Sequence, residues 1–357
     1  MKSWQRYYRP SCLAQLQLKQ VREQMQHLAQ SGSFPAVMLF AGPKGVGKTS
    51  TARIVAAMLN SKNNAAAIKS AYLSEQKTKS VALQDPDLSD PQIANIIQGN
   101  SYLVVEIDAA SHRGIDDVRS LQEQIYLPPS MGQMMVYILD EVHMFTSEAF
   151  NALLKVLEEP PSHAIFILAT TEIHKIPATI VSRCQVINFT KASQVELVEA
   201  LKHIVTCEKL QAQESALDKI AQCADGSFRD AVKYLQLVAS RGEINLAHVD
   251  QTLGANQNEQ LIALIKIVLQ KDALALVKFF ANLRAAGIQE KFFLSELVNF
   301  IYQQLLANVR GEKKLLLTQN QAHFLLKNLT VMPSASLLPF LNLELMLLEI
   351  FSKSKDK

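Results

Sequence analysis

The feature that most constrains this chain is the glycine-rich segment GPKGVGKT at residues 42–49. It fits the pattern G-x-x-x-x-G-K-[ST], in which glycines let several backbone N–H groups turn inward around an anion. An apolar run of strand type precedes it at residues 37–40, and a helical pattern follows at residues 49–59. A helix that starts directly after such a loop adds the positive end of its dipole. The segment therefore predicts a phosphate-binding loop between a buried strand and a helix.

The composition is that of a globular chain with large apolar cores. Of the 357 residues, 48% are hydrophobic, and the net charge of +3 argues neither for nor against nucleic-acid binding. The cysteines are scattered and form no CxxC pair, at Cys12, Cys184, Cys207 and Cys223. This usage favours a reduced intracellular protein over a disulfide framework. No signal-peptide pattern or apolar run of membrane-spanning length occurs, so we expect a cytoplasmic protein without a membrane partner.

The order of apolar runs predicts an α/β fold. Strand-like runs lie at residues 37–40, 102–107, 135–139, 165–169 and 185–189, with helical patterns at 49–59, 116–125 and 147–158 between them. Strands that are apolar on both faces and alternate with helices are typical of a parallel sheet covered on both sides. In such sheets, ligands bind beyond the carboxyl ends of the strands.

The strand signal disappears after about residue 191. Helical patterns at 195–207, 216–224 and 230–240 predict a small helical domain, and residues 242–351 form an almost wholly helical pattern that divides near 254, 287, 311 and 333. We therefore predict three domains, at residues 1–190, 191–241 and 242–357. Residues 61–98 interrupt the first domain as a polar, partly helical insertion with a loop around residues 84–91.

Two acidic residues, Asp140 and Glu141, follow directly after the apolar run at residues 136–139. Asp140 would support Mg²⁺ next to the phosphate loop, and Glu141 would polarise the water that attacks a γ-phosphate. Helix capping or simple solvation would equally explain two acids after a strand. Their position in the same predicted sheet as the loop favours the catalytic interpretation.

Three further positions fit phosphate chemistry but are individually ambiguous. Thr170 and Thr171 end the next predicted strand, where a hydroxyl can reach the γ-phosphate or begin a turn. Arg183 shortly precedes another strand, and Arg229 opens a helix. A guanidinium is planar and permanently charged, which suits phosphoryl transfer, yet each arginine considered alone is better explained as an ordinary surface residue.

Nine motifs occur together and in one order along residues 8–231. They are YRP at 8–10, GPKGVGKT at 42–49, EIDAAS at 106–111, GIDDVR at 114–119, DEVHM at 140–144, FNALLKVLEEPP at 150–161, LATT at 168–171, SRCQ at 182–185 and GSFRDA at 226–231. In this, the chain resembles the γ/τ family of bacterial DNA polymerase III subunits, which are AAA+ ATPases of the sliding-clamp loader. The resemblance runs from about residue 4 to 240; beyond it only the helical composition is compatible.

The resemblance implies an AAA+ P-loop ATPase domain with a parallel sheet flanked by helices, a helical lid and a C-terminal all-α collar. It also implies ATP and Mg²⁺ as cofactors. Glu141 matches the catalytic acid/base, Arg183 the arginine finger that acts on a neighbouring subunit, and Thr49 with Asp140 the magnesium site. The remaining expected nucleotide-binding residues are Tyr8, Arg9 and Pro10 beside adenine, Gly42, Pro43, Lys44, Gly45, Val46, Gly47, Lys48, Thr49 and Ser50 in the loop, Thr171 as sensor 1 and Arg229 as sensor 2.

The partners implied by the family are δ- and δ′-like subunits in a hetero-pentameric ring, the sliding clamp and primed DNA. ATP binding would stabilise a ring that opens the clamp, and hydrolysis would release it closed on DNA. Candidate DNA contacts are residues 111–114 and the helix that starts near Asp116, which are otherwise an exposed loop beside the nucleotide site. His143 is interpreted as a packed or hydrogen-bonded histidine.

The chain departs from the family pattern at three places. Residues 60–100 contain no cysteine, so the family's four-cysteine zinc module is expected to be absent, with residues 93–98 packing there instead. Leu18 and Lys19 stand where a Gly-Gln pair is common, which puts the adenine-side contacts in doubt. The sequence also ends soon after the predicted collar, as in a short γ-like form.

Two other functions remain compatible with these motifs. One is a δ′-like stator, which donates Arg183 but hydrolyses no ATP; stators of the family generally lack an intact phosphate loop. The other is a related AAA+ motor that acts on branched DNA, against which the SRC and NALLKVLEEPP segments speak.

Overall fold

A computed structural model of the chain describes residues 3–74, 81–129, 134–253, 257–285, 288, 290–310, 316–332 and 338–353. The chain divides into two compact units, Met1–Gln236 and Leu237–Lys357. The predicted lid helices thus lie mostly in the first unit, with the ATPase-type sheet. The boundaries predicted at 190/191 and 241/242 remain predictions.

The first unit is built on a five-stranded parallel sheet in the order β2-β3-β4-β1-β5. The strands are β1 Val37–Ala41, β2 Val104–Asp108, β3 Met135–Asp140, β4 Ala164–Thr170 and β5 Gln185–Asn188. All residues of β1 and β4 are buried, as expected for central strands of a sheet covered on both faces. This confirms the predicted α/β class.

The strand register places three chain segments at one edge of the sheet. Ala41 pairs with Thr170 across β1 and β4, and Leu139 pairs with Leu168 across β3 and β4. The segments that follow β1, β3 and β4 therefore meet at the carboxyl ends of the strands, although they are far apart in sequence. These are the phosphate loop, the two acids and the two threonines that the sequence singled out.

Helices cover the sheet. They are α1 Trp4–Tyr7, α2 Lys19–Gln30, α3 Lys48–Asn60, α4 Ala65–Ile68, α5 Pro91–Gln98, α6 Ile115–Ile125, α7 Ser147–Glu158 and α8 Ala178–Val181, with 3₁₀ turns at Leu13–Gln15, Lys62–Asn64, Val142–Met144 and Ile173–Lys175 and a π-helical turn at Lys69–Leu73. One core cluster lies between the sheet and α6 and α7, where the rings of Tyr137 and Phe166 stack. Helix α3, which follows the phosphate loop, is buried along most of its length.

The insertion at residues 61–98 is partly helical, as predicted. Ile93 and Ile96 of α5 are buried, and the guanidinium of Arg53 on α3 donates to the carbonyl of Ile97 at 3.3 Å. Asn64 fixes the start of the insertion, because its side-chain amide donates to the carbonyls of Met58 and Gln84, each at 2.9 Å. The apolar residues of 93–98 therefore pack this region as expected, whereas the amide side chains of Asn95 and Gln98 are exposed and the packing amide is that of Asn64. The predicted loop at residues 84–91 precedes α5.

Three helices follow the sheet, α9 Gln194–Cys207, α10 Glu214–Cys223 and α11 Phe228–Ala239. Ser193 and Glu196 form a capping box at the start of α9. Such a box satisfies two backbone N–H groups that a helix start leaves without a partner. The helices match the predicted lid patterns to within two residues at every end.

In the second unit, the described residues of 237–353 are mainly helical. After the end of α11, the helices are α12 Leu246–Leu253, α13 Gln257–Gln270, α14 Ala273–Ala285, α15 Glu290–Val309, α16 Gln319–Val331 and α17 Leu341–Lys353. Helices α13 to α17 share an apolar core that includes Phe280, Phe293 and Phe340. The four positions at which the sequence predicted breaks between helices, 254, 287, 311 and 333, all lie outside the described residues. The sequence analysis missed one break, at Lys271, whose φ of 55° is left-handed. No described helix is long and apolar enough to cross a lipid bilayer.

Candidate nucleotide-binding site

The phosphate loop begins with a glycine that no other residue can replace without strain. Gly42 has φ of 154°, and a Cβ placed on it would lie 2.0 Å from the carbonyl oxygen of Phe189. Its N–H donates to the carbonyl of Thr170 at 3.1 Å. The loop therefore leaves β1 in contact with the chain that follows β4 and β5, which fixes its direction over the sheet edge.

Lys48 lies inside the loop. Its Nζ donates to the carbonyls of Gly42 at 2.7 Å and Pro43 at 2.9 Å, and the residue is only 6% exposed. Burial lowers the pKa of Lys48, and the nearby carboxylates of Glu141 and Asp140 offset part of this effect. A buried ammonium is stabilised by an opposite charge, so an anionic group in the cavity would form a charge-assisted hydrogen bond with it.

The hydroxyl of Thr49 and the carboxylate of Asp140 meet at the end of β3. Thr49 Oγ1 donates to Asp140 Oδ2 at 3.0 Å, and the N–H of Glu141 donates to Asp140 Oδ1 at 2.9 Å. Burial raises the pKa of Asp140, although both hydrogen bonds counteract the shift. The two oxygens are thus adjacent, and the charge of the nearby Lys48 also acts to lower the pKa of Asp140.

Glu141 adopts an unusual backbone and a constrained side chain. Its φ of 50° is left-handed, a conformation that costs energy for any residue other than glycine. Oε2 accepts hydrogen bonds from Thr171, one from Oγ1 at 3.0 Å and one from the backbone N–H at 3.3 Å. The structure thus brings together Glu141 and Thr171, which the sequence analysis placed at the ends of neighbouring strands.

A cavity of about 310 Å³ opens over these groups. The predicted site residues that line it are Tyr8, Arg9, Pro10, Lys44, Gly45, Val46, Gly47, Lys48, Thr49, Ser50, Asp140, Glu141 and Arg229. Three further predicted residues contact residues that line the cavity: the carbonyls of Gly42 and Pro43 accept hydrogen bonds from Lys48, and Thr171 donates one to Glu141. Most of the predicted set therefore surrounds one cavity.

The segment before α2 ties one wall of the cavity to the lid helices. Tyr8 donates its hydroxyl to Glu208 Oε1 at 2.6 Å, and the backbone N–H of Trp4 donates to Gln236 Oε1 at 3.0 Å. Burial lowers the pKa of Arg9, and the nearby Arg53 and Arg229 contribute in the same direction. Several cationic groups thus converge on this side of the cavity, where a polyanion would be stabilised.

Arg229 lines the cavity, and its backbone also contacts the phosphate loop. Its N–H donates to the carbonyl of Gly45 at 3.3 Å, so the first turn of α11 rests on the phosphate loop. Gly45 has φ of 81°, and a Cβ on it would lie 2.2 Å from the hydroxyl of Ser227. The loop and the lid are therefore packed too closely at this point for a side chain to fit between them.

The sequence analysis missed the apolar wall of the cavity. It is formed by Leu18 and Val21 with side chains from the lid helices, Ala200, Ile204, Phe228 and Val232. Their spacing, i to i+4 on both α9 and α11, was the available signal, but the same spacing occurs on any helix that packs against a core. Leu18, noted as a departure from the family, is 5% exposed and forms part of this wall.

Arg183 does not line the cavity of its own chain. Its guanidinium pairs with the carboxylate of Glu158 at the end of α7 and donates from Nη1 to the carbonyl of Thr179 at 2.6 Å. Glu158 belongs to the NALLKVLEEPP segment, so two motifs of the sequence analysis meet here. About a third of the Arg183 side chain is accessible to solvent.

Comparison with known proteins identifies the family. The chain is 34% identical over 266 residues to the DNA polymerase III subunit gamma of Buchnera aphidicola from Acyrthosiphon pisum, covering 74% of this chain and 69% of that protein. The chain belongs to the γ/τ family of DNA polymerase III clamp-loader subunits. Family models agree with this, since one described as DNA polymerase III clamp loader subunit, ATPase lid domain, matches residues 196–236, and one described as DNA polymerase III, delta subunit, matches residues 17–193.

The γ/τ chain matches only part of the length of its τ relatives. It is 40% identical over 225 residues to the DNA polymerase III subunit tau of Bacillus subtilis, covering 63% of this chain but 37% of that protein. The chain is 33% identical to the DNA polymerase III subunit tau of Escherichia coli, and the match covers 74% of this chain and 39% of that protein. The chain thus spans little more than a third of the length of these τ relatives.

Solved structures agree on the fold of the γ/τ chain. The RuvB Holliday junction branch migration motor of Thermotoga maritima superimposes with a TM-score of 0.50 at 17% identity, over 79% of this chain and 86% of that one. Similarity at this level shows the AAA+ fold alone. In the part of the chain that the structure describes, His, Cys, Asp and Glu side chains form no cluster of three or more suited to a metal ion.

Proposed function

We propose that this chain is an ATP-hydrolysing subunit of the DNA polymerase III clamp loader that opens the sliding clamp and loads it onto primed DNA. One observation carries the proposal. The buried Lys48, the Thr49–Asp140 pair and the Glu141–Thr171 pair lie together at one edge of the sheet. These are the groups that ATP hydrolysis needs for phosphate binding, metal binding and water activation.

The phosphate loop would bind the triphosphate. Gly42 to Gly47 would present backbone N–H groups and the start of α3, and Lys48 would contribute a buried positive charge that has carbonyl partners in the structure. Thr171 and Arg229 would act as sensors of the γ-phosphate from opposite sides, because one contacts Glu141 and the other lines the cavity from the lid. Tyr8, Arg9 and Pro10 would lie beside the adenine.

The residues at the end of β3 fit Mg²⁺. The ion prefers hydroxyl and carboxylate oxygens, and Thr49 Oγ1 and Asp140 Oδ2 lie 3.0 Å apart. Burial raises the pKa of Asp140, and a bound cation would offset that cost. Bound there, Mg²⁺ would neutralise phosphate charge.

Glu141 is the group we assign to water activation. Oε2 is occupied by the two donors of Thr171, whereas Glu141 also lines the cavity, so its remaining carboxylate oxygen is available to accept a proton from water. Hydrolysis would then form a bond between that water and the γ-phosphorus and break the bond to the β-phosphate oxygen, so that ADP leaves and the proton passes to the carboxylate. Arg183 would stabilise the transferring group in the site of a neighbouring subunit.

The proposed assembly follows from the family. The chain would join δ- and δ′-like subunits in a hetero-pentameric ring in the cytoplasm and would act on the clamp and primed DNA. Support for a motor role comes from the intact set of site residues. If ATP stabilised one conformation of the ring and ADP another, hydrolysis would be coupled to release of the clamp.

A δ′-like stator is the alternative that the sequence left open, and the match of residues 17–193 to the delta-subunit family model does not favour it over the γ/τ assignment. A stator would keep Arg183 but needs no water-activating group. The Glu141–Thr171 contact is therefore the feature that argues for a motor.

The deciding experiment measures steady-state ATP hydrolysis by the chain mixed with its δ- and δ′-like partners, with and without clamp and primed DNA. We expect stimulation by clamp plus DNA, and we expect Glu141→Gln to lower kcat by about 100-fold or more while ATP affinity is retained. Tight ATP binding without turnover by the wild type would instead support the stator.

A further inference from the structure

His143 is a buried imidazole with polar groups at both nitrogens. It lies in the 3₁₀ turn Val142–Met144, just after the two acids, and its side chain is 7% exposed. Nδ1 lies 3.1 Å from Thr170 Oγ1 and 3.4 Å from Glu141 Oε2, and Nε2 lies 3.4 Å from Glu172 Oε1. The ring therefore joins the end of β3 to the end of β4 beside the carboxylate assigned to water activation.

These contacts fix the ring in one orientation. Burying a polar side chain costs free energy unless its donors and acceptors have partners; here Nδ1 has a hydrogen-bond partner in Thr170, and a carboxylate oxygen lies 3.4 Å from each ring nitrogen. Glu172 is itself constrained, because its N–H donates to Thr170 Oγ1 at 3.0 Å and its carboxylate pairs with Lys175 Nζ at 2.9 Å. The ion pair with Lys175 lowers the pKa of Glu172, so an anion faces Nε2 at neutral pH.

The backbone of Glu141 needs such support. In its left-handed conformation it carries a strain that a free loop would relax. Thr171 holds Oε2 from one side, and His143 lies within 3.4 Å of the same oxygen from the other. Two groups on Oε2 limit rotation of the carboxylate and leave Oε1 as the oxygen that can face the cavity.

We propose that His143 is a positioning residue for Glu141, holding the carboxylate so that one oxygen stays available to the attacking water. The inference rests on the proposed role of Glu141 in hydrolysis and extends it to a residue that does not touch the nucleotide. His143 acts on the rate of the chemical step and leaves the affinity for ATP unchanged, because it does not line the cavity.

The test compares His143→Leu with His174→Leu in the assembled complex. His174 is a matched control, since it lies in the same region, 3.6 Å from the same Glu172, but its side chain is 73% exposed. We expect His143→Leu to lower kcat by about 10- to 100-fold with ATP affinity and KM within about twofold of wild type. His174→Leu keeps wild-type kcat. His143→Asn, whose amide can still reach Thr170, recovers part of the loss.

A second comparison separates positioning from folding. Because His143 acts through Glu141, His143→Leu adds no further loss of kcat in a Glu141→Gln background. Wild-type kcat in His143→Leu overturns the inference while the proposed function stands. ATP affinity that falls together with kcat also overturns it, since that pattern indicates a packing role. A wild-type complex without turnover overturns both the inference and the proposed function.

Discussion

Lys48 shows how a single buried charge defines the candidate site. Its ammonium is held by two loop carbonyls and is nearly inaccessible to solvent, so the folded protein already bears the cost of desolvating it. A bound phosphate would gain from that arrangement without further reorganisation. Removing the charge should therefore weaken binding more than it weakens the fold.

We expect Lys48→Ala to lower the affinity for ATP by about 10- to 100-fold, the loss of a charge-assisted hydrogen bond in a desolvated site. Fluorescent-nucleotide titration measures the affinity, and circular dichroism checks that the helical content is unchanged. Lys62→Ala is the control, because Lys62 follows the helix that begins at Lys48, is exposed and does not line the cavity. Equal affinities of Lys48→Ala and the wild type would contradict the phosphate-loop assignment.

The sequence identified candidate residues where the chemistry requires a fixed local spacing, but it did not reveal the distant contacts that hold candidates such as Tyr8 and Arg183. The loop lysine and threonine are recognisable because phosphate binding requires them at fixed spacing. The partners of Tyr8 and Arg183 lie 200 and 25 positions away, at Glu208 and Glu158, and no pattern near either residue announces them. His143 was interpreted from sequence as a hydrogen-bonded histidine, and its contacts confirm that.

At the scale of elements, one carboxylate links two helices that lie far apart in the chain. Glu196 closes the capping box of α9 by accepting from Ser193, and it also accepts from the backbone N–H of Lys19, the first residue of α2, at 3.1 Å. The same group thus fixes a lid helix and the start of the helix that carries part of the cavity wall. Its charge state should affect the stability of the first unit.

The pKa of Glu196 determines the sign of this effect. Burial raises it, but the hydrogen bonds from Ser193 and Lys19 and the nearby Arg22 outweigh burial, so the folded-state pKa lies below the ordinary value of 4.5. A carboxyl with a lowered folded-state pKa stabilises the fold above its unfolded pKa. That contribution is lost as the pH falls through the folded-state value.

We therefore expect Glu196→Gln to lower the free energy of unfolding by about 1 kcal/mol at neutral pH and to have little effect at about pH 3. Urea unfolding followed by tryptophan fluorescence measures it, because Trp4 is the single tryptophan and contacts Gln236 of the lid helices. Glu199→Gln, on an exposed position of the same helix, should leave the curve unchanged at both pH values. A pH-independent loss in Glu196→Gln would exclude the charge as the cause.

The strands and helices themselves were largely predictable, because their hydrophobic periods are unambiguous. The five strands were placed to within two residues at each end, and the lid helices likewise. The break between α13 and α14 was missed because no glycine or proline marks it. There Lys271 takes the left-handed conformation. Asp272 then caps α14 by accepting a hydrogen bond from the N–H of Ala275 at 2.9 Å. Helix α2 was not predicted either.

Considered as a whole molecule, the chain carries both groups that the proposed function divides between two subunits, Glu141 and Arg183. The phosphate loop and Glu141 surround its own cavity, whereas Arg183 pairs with Glu158 and lies outside that cavity. Because Arg183 lies outside the cavity of its own chain, the proposed assembly would let its guanidinium act on a nucleotide held by a neighbouring subunit. The arrangement predicts that the two groups can be supplied by different copies.

We expect Arg183→Ala to bind ATP with wild-type affinity and to lose about 1,000-fold or more in hydrolysis within the assembled complex. Glu141→Gln should be inactive for the opposite reason, since it retains the arginine but lacks the water-activating group. Complexes assembled from a mixture of the two variants should recover part of the wild-type rate, because an intact Arg183 from one copy then faces an intact Glu141 of another. Complexes assembled from either variant alone are the controls. Recovery in the mixture requires the arginine to act between subunits, and a mixture as inactive as its components would place Arg183 outside the reaction of its neighbours.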